Sequence, residues 1–200
     1  MVLAGGRGCR LGGEGKASLE LAGRPMLAYV LEALTAALDE VAVAAKASTV
    51  LPGVSDGQTL RVPGLAERVA LWTEPDRPRH PLAGLRHALQ RAVDRPVLAC
   101  AVDLPLITPA LVEEIAVADA QGAPAAVPLA GGRLQPLLAR YEPAALEALA
   151  TAADDQPLTA AVRTLGPRVI EPADPDLFLN VNSEADLEEA ATELRRRRRV

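Results

Sequence analysis

The sequence predicts an α/β protein with a Rossmann-like, three-layer α/β/α arrangement: a mostly parallel, twisted sheet with one antiparallel strand or hairpin. Three observations predict it. Short apolar runs alternate with longer segments whose apolar residues recur at helical spacing. Half of the residues are hydrophobic but only 2% are aromatic, so the core would consist of Ala, Val and Leu. A length of 200 residues suits one substantial α/β domain and is short for two.

The N-terminal part of the chain alternates predicted strands and helices. The segments predicted there are strand 1–4, helix 25–38, strand 40–45, strand 69–73, helix 81–93, strand 96–102 and helix 109–120. The last of these helices has Thr108 as its cap and Pro109 at its first position, a favoured start. Residues 48–65, rich in Gly, Pro and polar side chains, are predicted to form the longest loop. Either the first strand begins upstream of Met1 or it is short.

The C-terminal part predicts an antiparallel element followed by helices. The predicted segments are strand 123–129, strand 134–141, helix 144–153 and helix 158–164. The two strands would form a hairpin through Gly131 and Gly132. Ser183 would cap a last helix, with Asp186 at its acidic third position. The chain shows no repeat and no low-complexity linker, so we expect one domain over residues 1–200.

Charge and composition argue against several classes of protein. A net charge of −5 disfavours general binding to nucleic acid, and the scarcity of aromatic residues disfavours single-strand binding. Cys9 and Cys100 cannot make a disulfide framework, and no metal-type Cys/His spacing exists. No stretch approaches the ~20 apolar residues of a membrane span, and none resembles a signal peptide. We expect a soluble, cytoplasmic protein with no membrane partner. The run Arg195–Arg199 is interpreted as a solvated helix end, with an anionic partner or a localisation signal as alternatives.

A glycine-rich loop leads from the first predicted strand to Lys16. Glycines let backbone N–H groups approach an anion closely, and a lysine adds a mobile positive charge for a phosphate. Two familiar phosphate motifs fail here. The dinucleotide fingerprint fails because Leu11 follows Arg10 where its last glycine is needed. The P-loop fails because Ala17 follows Gly15-Lys16 and Arg10 replaces its first glycine.

An acidic residue ends the fourth predicted strand. Asp103 follows the apolar run 96–102, and the carboxyl ends of parallel strands are where open α/β sheets bind ligands. A single carboxylate there suits Mg²⁺, which completes its coordination with phosphates and water. Thr108 already occupies the cap of the following helix, so a capping role for Asp103 is disfavoured. Asp103 is therefore predicted to hold Mg²⁺.

Several ordered motifs together resemble the molybdenum cofactor guanylyltransferase family over nearly the whole chain. The matching segments are Leu3-Ala4-Gly5-Gly6 with Arg10 and Lys16, Gly23-Arg24-Pro25, and residues 76–85, 97–105, 132–141 and 178–187. The resemblance implies transfer of GMP from GTP to the pterin-bound molybdenum cofactor, with release of pyrophosphate, by a single nucleotidyltransferase domain. The sequence leaves open whether a partner protein hands over the cofactor, although a labile cofactor would suit direct hand-over.

The resemblance also assigns roles to individual residues. The catalytic set comprises Lys16, Asp103 and Arg10. The nucleotide-binding set comprises Leu3, Ala4, Gly5, Gly6, Lys16, Asp76, Gly84 and Asp103. The pocket on the side of the acceptor cofactor comprises Gln135, Asn180 and Asn182, and the Mg²⁺ ligand is Asp103.

The chain departs from the family pattern at the position that faces the base. Relatives present a polar residue after the second long strand, whereas this chain has Ala44-Ala45-Lys46. His80 also replaces the glycine before Pro81. The change at Ala44-Ala45-Lys46 leaves base selectivity open. Cytidylyl transfer to the same cofactor or to another small phosphate is one alternative, and a non-catalytic nucleotide-binding sensor or partner protein is another.

Overall fold

The computed structural model describes residues 1–5 and 15–197 of the chain. Its strands are β1 (Val2–Leu3), β2 (Glu20–Leu21), β3 (Arg24–Pro25), β4 (Ala42–Lys46), β5 (Val54–Ser55), β6 (Thr59–Arg61), β7 (Arg68–Glu74), β8 (Val97–Ala101), β9 (Ala125–Ala130), β10 (Arg133–Leu134), β11 (Leu138–Tyr141) and β12 (Arg168–Ile170). Its α-helices are α1 (Met26–Ala37), α2 (Pro81–Ala92), α3 (Pro109–Ala116), α4 (Ala145–Ala150), α5 (Leu158–Thr164) and α6 (Glu184–Arg197). Short 3₁₀ turns cover Lys16–Ser18 and Pro175–Phe178. No helix in these ranges is long and apolar enough to cross a membrane.

One ten-stranded sheet organises the fold. Its strand order is β9-β11-β8-β1-β4-β7-β6-β5, and β10 and β12 also pair with β9. The central strands β8, β1, β4 and β7 are parallel, with Val2 opposite both Val43 and Cys100. Antiparallel strands lie on both sides of this parallel centre. The predicted fold class is confirmed, and its antiparallel part is larger than the single strand or hairpin expected.

The two faces of the sheet bury separate cores. On one face, α1 and α3 pack over Val43 and Cys100. On the other face, α2, α4 and α5 pack over Ala44 and Ala99. Neighbouring residues of β4 and β8 point to opposite faces, as the period of a strand requires. Both faces are buried, which explains why these strands appear in the sequence as continuous apolar runs.

Two predicted helix starts are confirmed by their capping bonds. Thr108 Oγ1 accepts a hydrogen bond from Leu111 N at 3.3 Å, with Pro109 at the first position of α3. Ser183 Oγ accepts one from Asp186 N at 3.2 Å at the start of α6. The predicted end of α3 at residue 120 is wrong, because the helix ends at Ala116.

The sequence prediction is also wrong in two antiparallel regions. The predicted loop 48–65 contains β5 and β6, which extend the sheet beyond β7. The predicted strand 134–141 is interrupted. Arg133 pairs with Ala130 of β9, and Arg140 pairs with Ala126 of β9. Between these two pairs the predicted strand advances by seven residues, whereas β9 advances by only four. Residues 135–137 lie between the two paired segments. β12, which pairs with β9, was not predicted.

Two glycines in the β5–β6 region test this part of the fold. Gly53 has φ of +104°, and a Cβ placed on it would lie 2.0 Å from the carbonyl oxygen of Arg61. Gly57 has φ of +87°, and nothing lies within 4 Å of its Cβ position. We expect Gly57→Ala to cost about 1 kcal/mol through its positive φ, and Gly53→Ala to cost more because it adds a backbone overlap. Urea denaturation measures both free energies of unfolding. Equal losses would contradict the β5–β6 pairing.

Candidate active site

The candidate site lies at the carboxyl edge of the four parallel strands. Gly5 follows β1, Lys46 ends β4, Glu74 ends β7, and Asp103 follows β8. Strand pairing sets this arrangement, since Lys46 lies opposite Glu74 and Ala4 N donates a 2.9 Å hydrogen bond to Ala44 O. The predicted ligand-binding edge depends on parallel strands, and the structure contains them at the centre of the sheet.

Lys16, Asp103 and Asn182 form a connected group, called here the Lys16 cluster. Lys16 Nζ donates to Asp103 Oδ2 at 2.7 Å and to Asn182 Oδ1 at 2.6 Å. The side chains of Lys16 and Asp103 are only 16% and 18% exposed, so their attraction is weakly screened. The structure thus joins a predicted phosphate-binding lysine, a predicted metal ligand and a predicted acceptor-side residue. Their direct contact was not predicted.

Among the described residues, one carboxylate oxygen of Asp103 has no partner. Its backbone carbonyl accepts a 2.9 Å hydrogen bond from Val181 N, which anchors the segment that precedes Asn182. Asp103 Oδ1 is buried and accepts no hydrogen bond from residues 1–5 or 15–197. An unsatisfied buried acceptor costs free energy, so this oxygen is suited to a cation. Within the same ranges, no group of three or more His, Cys, Asp or Glu side chains could hold a metal ion. Asp103 could therefore serve Mg²⁺ as a single protein ligand, a number that this ion accepts.

Asp186 fixes the backbone at Asn182. Its carboxylate accepts hydrogen bonds from Asn182 N at 2.9 Å and Ser183 N at 2.8 Å. The hydrogen bond from Asn182, followed by that from Ser183, lowers the pKa of Asp186, and the charge of Lys16 lowers it further. The start of α6 thereby holds Asn182 beside Lys16, because the carboxylate of Asp186 both caps the helix and binds the backbone at Asn182.

The other predicted acceptor-side residues make local contacts. Asn180 Nδ2 donates to Phe178 O at 3.2 Å, and Asn182 Nδ2 approaches Asn180 O at 3.4 Å. Gln135 Nε2 donates to Ala130 O and Arg133 O, within its own antiparallel ribbon. Among the described residues, no hydrogen bond links Gln135 to the Lys16 cluster. The role of Gln135 in the acceptor pocket stays a prediction.

Asp76 lies in a small polar group after β7. Its Oδ1 accepts from the hydroxyl of Ser48 at 2.5 Å and from Ser48 N at 3.3 Å. These bonds lower the pKa of Asp76, and the positive charges of Arg79 and Lys46 add to the effect. Arg79 Nη2 donates to the same hydroxyl at 2.7 Å. Asp76 is therefore held as a carboxylate at the rim of the site.

The predicted nucleotide-binding residues of β1 and α2 are tightly packed. A Cβ placed on Gly84 would lie 2.5 Å from Leu3 Cδ2 and 3.1 Å from Glu74 Oε1, so α2 approaches the sheet closely here. Ala4 is buried, and Gly5 lies beside the side chain of Lys46. Gly6 and Arg10 fall in the range 6–14, outside the described residues.

Two contacts near the nucleotide-binding residues were missed. Lys46 and Glu74 form a buried ion pair with 3.2 Å between Nζ and Oε2. The sequence signal that could have indicated this pair is a charged residue at the end of each of the two apolar strands. His80 caps α2, since its Nδ1 accepts from Leu82 N at 3.3 Å. This cap explains how the chain tolerates a histidine before Pro81.

The link between Asp186 and Asn182 predicts an acid-dependent loss of stability. A lowered folded pKa means that this carboxylate stabilises the fold fully above its unfolded pKa of about 3.9. The contribution is lost as pH falls through the folded pKa. We expect Asp186→Asn to destabilise the protein at pH 7, and we expect the difference from wild type to shrink below about pH 4.

Urea denaturation at a series of pH values measures this difference. Glu189→Gln removes an exposed carboxylate from the same helix and is the matched control, with almost no expected change. A difference for Asp186→Asn that persists unchanged at pH 2 would contradict the link.

Comparisons with known proteins agree with this geometry. A family model described as the MobA-like NTP transferase domain matches residues 1–169. A molybdenum cofactor guanylyltransferase of Cereibacter sphaeroides is 36% identical, over 98% of this chain and 96% of the relative. A probable molybdenum cofactor guanylyltransferase of Bacillus licheniformis is 32% identical, over 94% of each.

Solved structures share the fold. Molybdopterin-guanine dinucleotide biosynthesis protein A from Archaeoglobus fulgidus superposes with a TM-score of 0.69 at 19% identity, over 98% of this chain and 97% of that one. The 2-C-methyl-D-erythritol 4-phosphate cytidylyltransferase of Thermus thermophilus does so with a TM-score of 0.65 at 23% identity, over 97% and 98%. From the matched residues and the full-length relatives, the chain belongs to the MobA-like NTP transferase family of nucleotidyltransferases.

Proposed function

We propose that this protein transfers GMP from GTP to the pterin-bound molybdenum cofactor and releases pyrophosphate. The observation that carries the proposal is the Lys16 cluster. Lys16, Asp103 and Asn182 meet at the carboxyl edge of the parallel strands, in a chain that belongs to a family of nucleotidyltransferases. The names of the full-length relatives support GTP as donor and the molybdenum cofactor as acceptor. Delivery of the acceptor by a partner protein stays a prediction.

The reaction exchanges one phosphoanhydride bond for another. A terminal phosphate oxygen of the acceptor attacks the α-phosphorus of GTP, and the bond from that phosphorus to the bridging α–β oxygen breaks. Pyrophosphate leaves with the bonding electrons, and no covalent intermediate on the protein is needed. The protein must align the two phosphates and offset the negative charge of the transition state.

Lys16 supplies a fixed positive charge for this purpose. Its ammonium has three N–H donors, and Asp103 and Asn182 accept two of them. Among the described residues the third donor has no acceptor, and we assign it to a phosphate oxygen. Because Asp103 and Asn182 hold the ammonium in place before the nucleotide arrives, little reorganisation is needed during the reaction.

Mg²⁺ is part of the proposal, with Asp103 as its protein ligand through the buried Oδ1. When bound, the ion neutralises charge on the phosphates. Asp103 would then serve two cations, Lys16 through one oxygen and Mg²⁺ through the other. Among the described residues, Asp103 is the one carboxylate that pairs with Lys16, which fits this sharing.

We assign Asn182 to the acceptor side of the cluster. It is exposed, whereas Lys16 and Asp103 are half-buried. Its Oδ1 binds Lys16 and its backbone is fixed by Asp186, so its position is set from both sides. Asn182, with Asn180 two residues earlier, is placed to orient the phosphate-bearing acceptor next to Lys16.

Substitutions in the Lys16 cluster test the proposal. We expect Asp103→Asn and Lys16→Met each to lower the rate of GMP transfer by about 100-fold or more, since each removes a charge that stabilises the transition state. The release of pyrophosphate from GTP, with the pterin-bound molybdenum cofactor and Mg²⁺ present, measures the rate. The same assay with CTP in place of GTP tests which base the protein accepts.

Asp155→Asn replaces an exposed aspartate on the surface and is the matched control, with an unchanged rate expected. Binding of GTP without acceptor-dependent release of pyrophosphate would overturn the proposed activity in favour of a nucleotide-binding sensor. Faster release from CTP than from GTP would overturn the proposed donor.

A further inference from the structure

The end of α6 reaches back to the loop that carries Asp103. Arg197, in the last described turn of α6, donates from Nη1 to Leu106 O at 2.8 Å. Its Nε donates to Glu193 Oε1 at 2.9 Å, one helical turn earlier. Glu193 thus holds one side of the guanidinium while the other side binds a residue 91 positions away. Leu106 follows Asp103 by three residues, so this bond acts on the chain next to the Lys16 cluster.

Within the described part of α6, the neighbouring arginines bond differently. Arg195 Nη2 donates to Thr192 Oγ1 at 3.3 Å, and Arg196 donates from Nε and Nη2 to Glu193 at 2.8 Å. These bonds stay within the helix, and the side chain of Arg196 is 73% exposed against 30% for Arg197. All three cations suit the helix dipole. The interpretation as a solvated helix end therefore fits Arg195 and Arg196 but not Arg197.

The C-terminal segment holds the loop of residues 103–106, called here the Asp103 loop, at both ends. Asp103 O accepts from Val181 N at 2.9 Å, and Leu106 O accepts from Arg197. Leu106 is only 3% exposed and packs in the same apolar cluster as Val181. A buried carbonyl that loses its donor must find water or stay unpaired, and either costs free energy. Arg197 therefore fixes the end of the loop that the bond from Val181 does not reach.

We propose that Arg197 is a positioning residue for Asp103, an inference that rests on the proposed GMP transfer. Asp103 Oδ2 binds Lys16, and Oδ1 is the proposed ligand of Mg²⁺. A shift of the backbone at Asp103 disturbs both contacts at once, and a misplacement of about 1 Å can lower a rate about 100-fold. Arg197 acts through Leu106 and the Asp103 loop, without touching the reacting groups.

The two ends of α6 support different members of the Lys16 cluster. At its start, Asp186 fixes the backbone of Asn182, and at its end Arg197 fixes the Asp103 loop. Between these ends, Ala190 packs in the apolar cluster that contains Leu106. Both acceptors of the lysine ammonium therefore depend on the position of one helix.

Arg197→Gln and Arg196→Gln form a matched pair of variants. Each removes one positive charge and one partner of Glu193 from the end of α6, and each leaves Glu193 paired with the other arginine. Only Arg197→Gln also removes the bond to Leu106 O. A difference between the two variants therefore reports the contact with the Asp103 loop.

Two measurements on the full chain separate positioning from a loss of folded protein. Hydrogen exchange, followed by mass spectrometry without nucleotide or metal, reports local opening at residues 104–108. Pyrophosphate release at a series of Mg²⁺ concentrations, with GTP and the molybdenum cofactor saturating, gives the Mg²⁺ concentration for half-maximal rate. Unfolding of part of the sample lowers the maximal rate but does not move this Mg²⁺ midpoint.

We expect Arg197→Gln to raise the Mg²⁺ midpoint at least about fivefold and to lower the maximal rate about tenfold. We expect the amide hydrogens of residues 104–108 to exchange at least about fivefold faster than in wild type. Arg196→Gln should leave all three quantities unchanged. Arg197→Lys keeps the charge and is the second variant if Arg197→Gln does not fold. A single ammonium lacks the planar fork that holds Glu193 and Leu106 together, so its midpoint should rise about twofold to threefold.

The outcomes separate this inference from the proposed function. In a wild type that transfers GMP, equal Mg²⁺ midpoints for Arg197→Gln and Arg196→Gln overturn the inference alone. Faster exchange at residues 104–108 with an unmoved midpoint overturns it too, since that pattern is expected of a purely structural contact. If Arg197→Gln does not fold, an unmoved midpoint in Arg197→Lys has the same meaning. Wild type that transfers no GMP overturns both.

Discussion

The contact between Lys16 and Asp103 is the interaction on which the site depends. It joins residues 87 positions apart, and the bond from Lys16 to Asn182 spans 166 positions. Neither could form without the parallel centre of the sheet, which places the end of β8 beside the chain that follows β1. The register of the strands therefore determines the geometry of the site, because a shift of one residue in β8 would turn Asp103 towards the opposite face of the sheet.

Two ion pairs at the carboxyl edge of the parallel strands differ in burial. The Lys16 cluster lies at the ends of β1 and β8 and is suited to phosphate. Within residues 1–5 and 15–197, Lys16 Nζ donates only to Asp103 and Asn182, and Asp103 Oδ1 accepts no hydrogen bond. The Lys46–Glu74 pair lies at the ends of β4 and β7 and is more deeply buried. Phosphate chemistry needs access for an acceptor and a metal, which the more exposed Lys16 cluster allows.

Local sequence signals predicted most of the parallel centre and its helices. Continuous apolar runs marked β4, β7 and β8, and Thr108-Pro109 marked the start of α3. Asp103 was found because a charge follows an apolar strand, and Lys16 because it closes a glycine-rich loop. These signals are local, so they are visible without a structure. The strands β5 and β6, which lie beyond β7 in the sheet, were missed because they are short and lie in a segment rich in Gly and Pro.

Contacts between distant segments could not be predicted in the same way. Glu74 faces Lys46 only because β4 and β7 pair in one particular register, and no pattern within either strand specifies that register. Asp186 was predicted only as the acidic third residue of the helix that Ser183 caps, yet its carboxylate also binds the backbone of Asn182. The interruption at 135–137 depends on how β9 pairs with β10 and β11 and has no counterpart in the apolar pattern.

The fate of the α-phosphate of GTP tests the proposed reaction most directly. Protein, Mg²⁺, molybdenum cofactor and GTP labelled at either the α- or the γ-phosphorus would be incubated, and the products separated by chromatography. We predict that the α-label appears in a guanine dinucleotide form of the cofactor and the γ-label appears in pyrophosphate. Recovery of the α-label only in unreacted GTP or in free GMP would contradict nucleotidyl transfer to this acceptor.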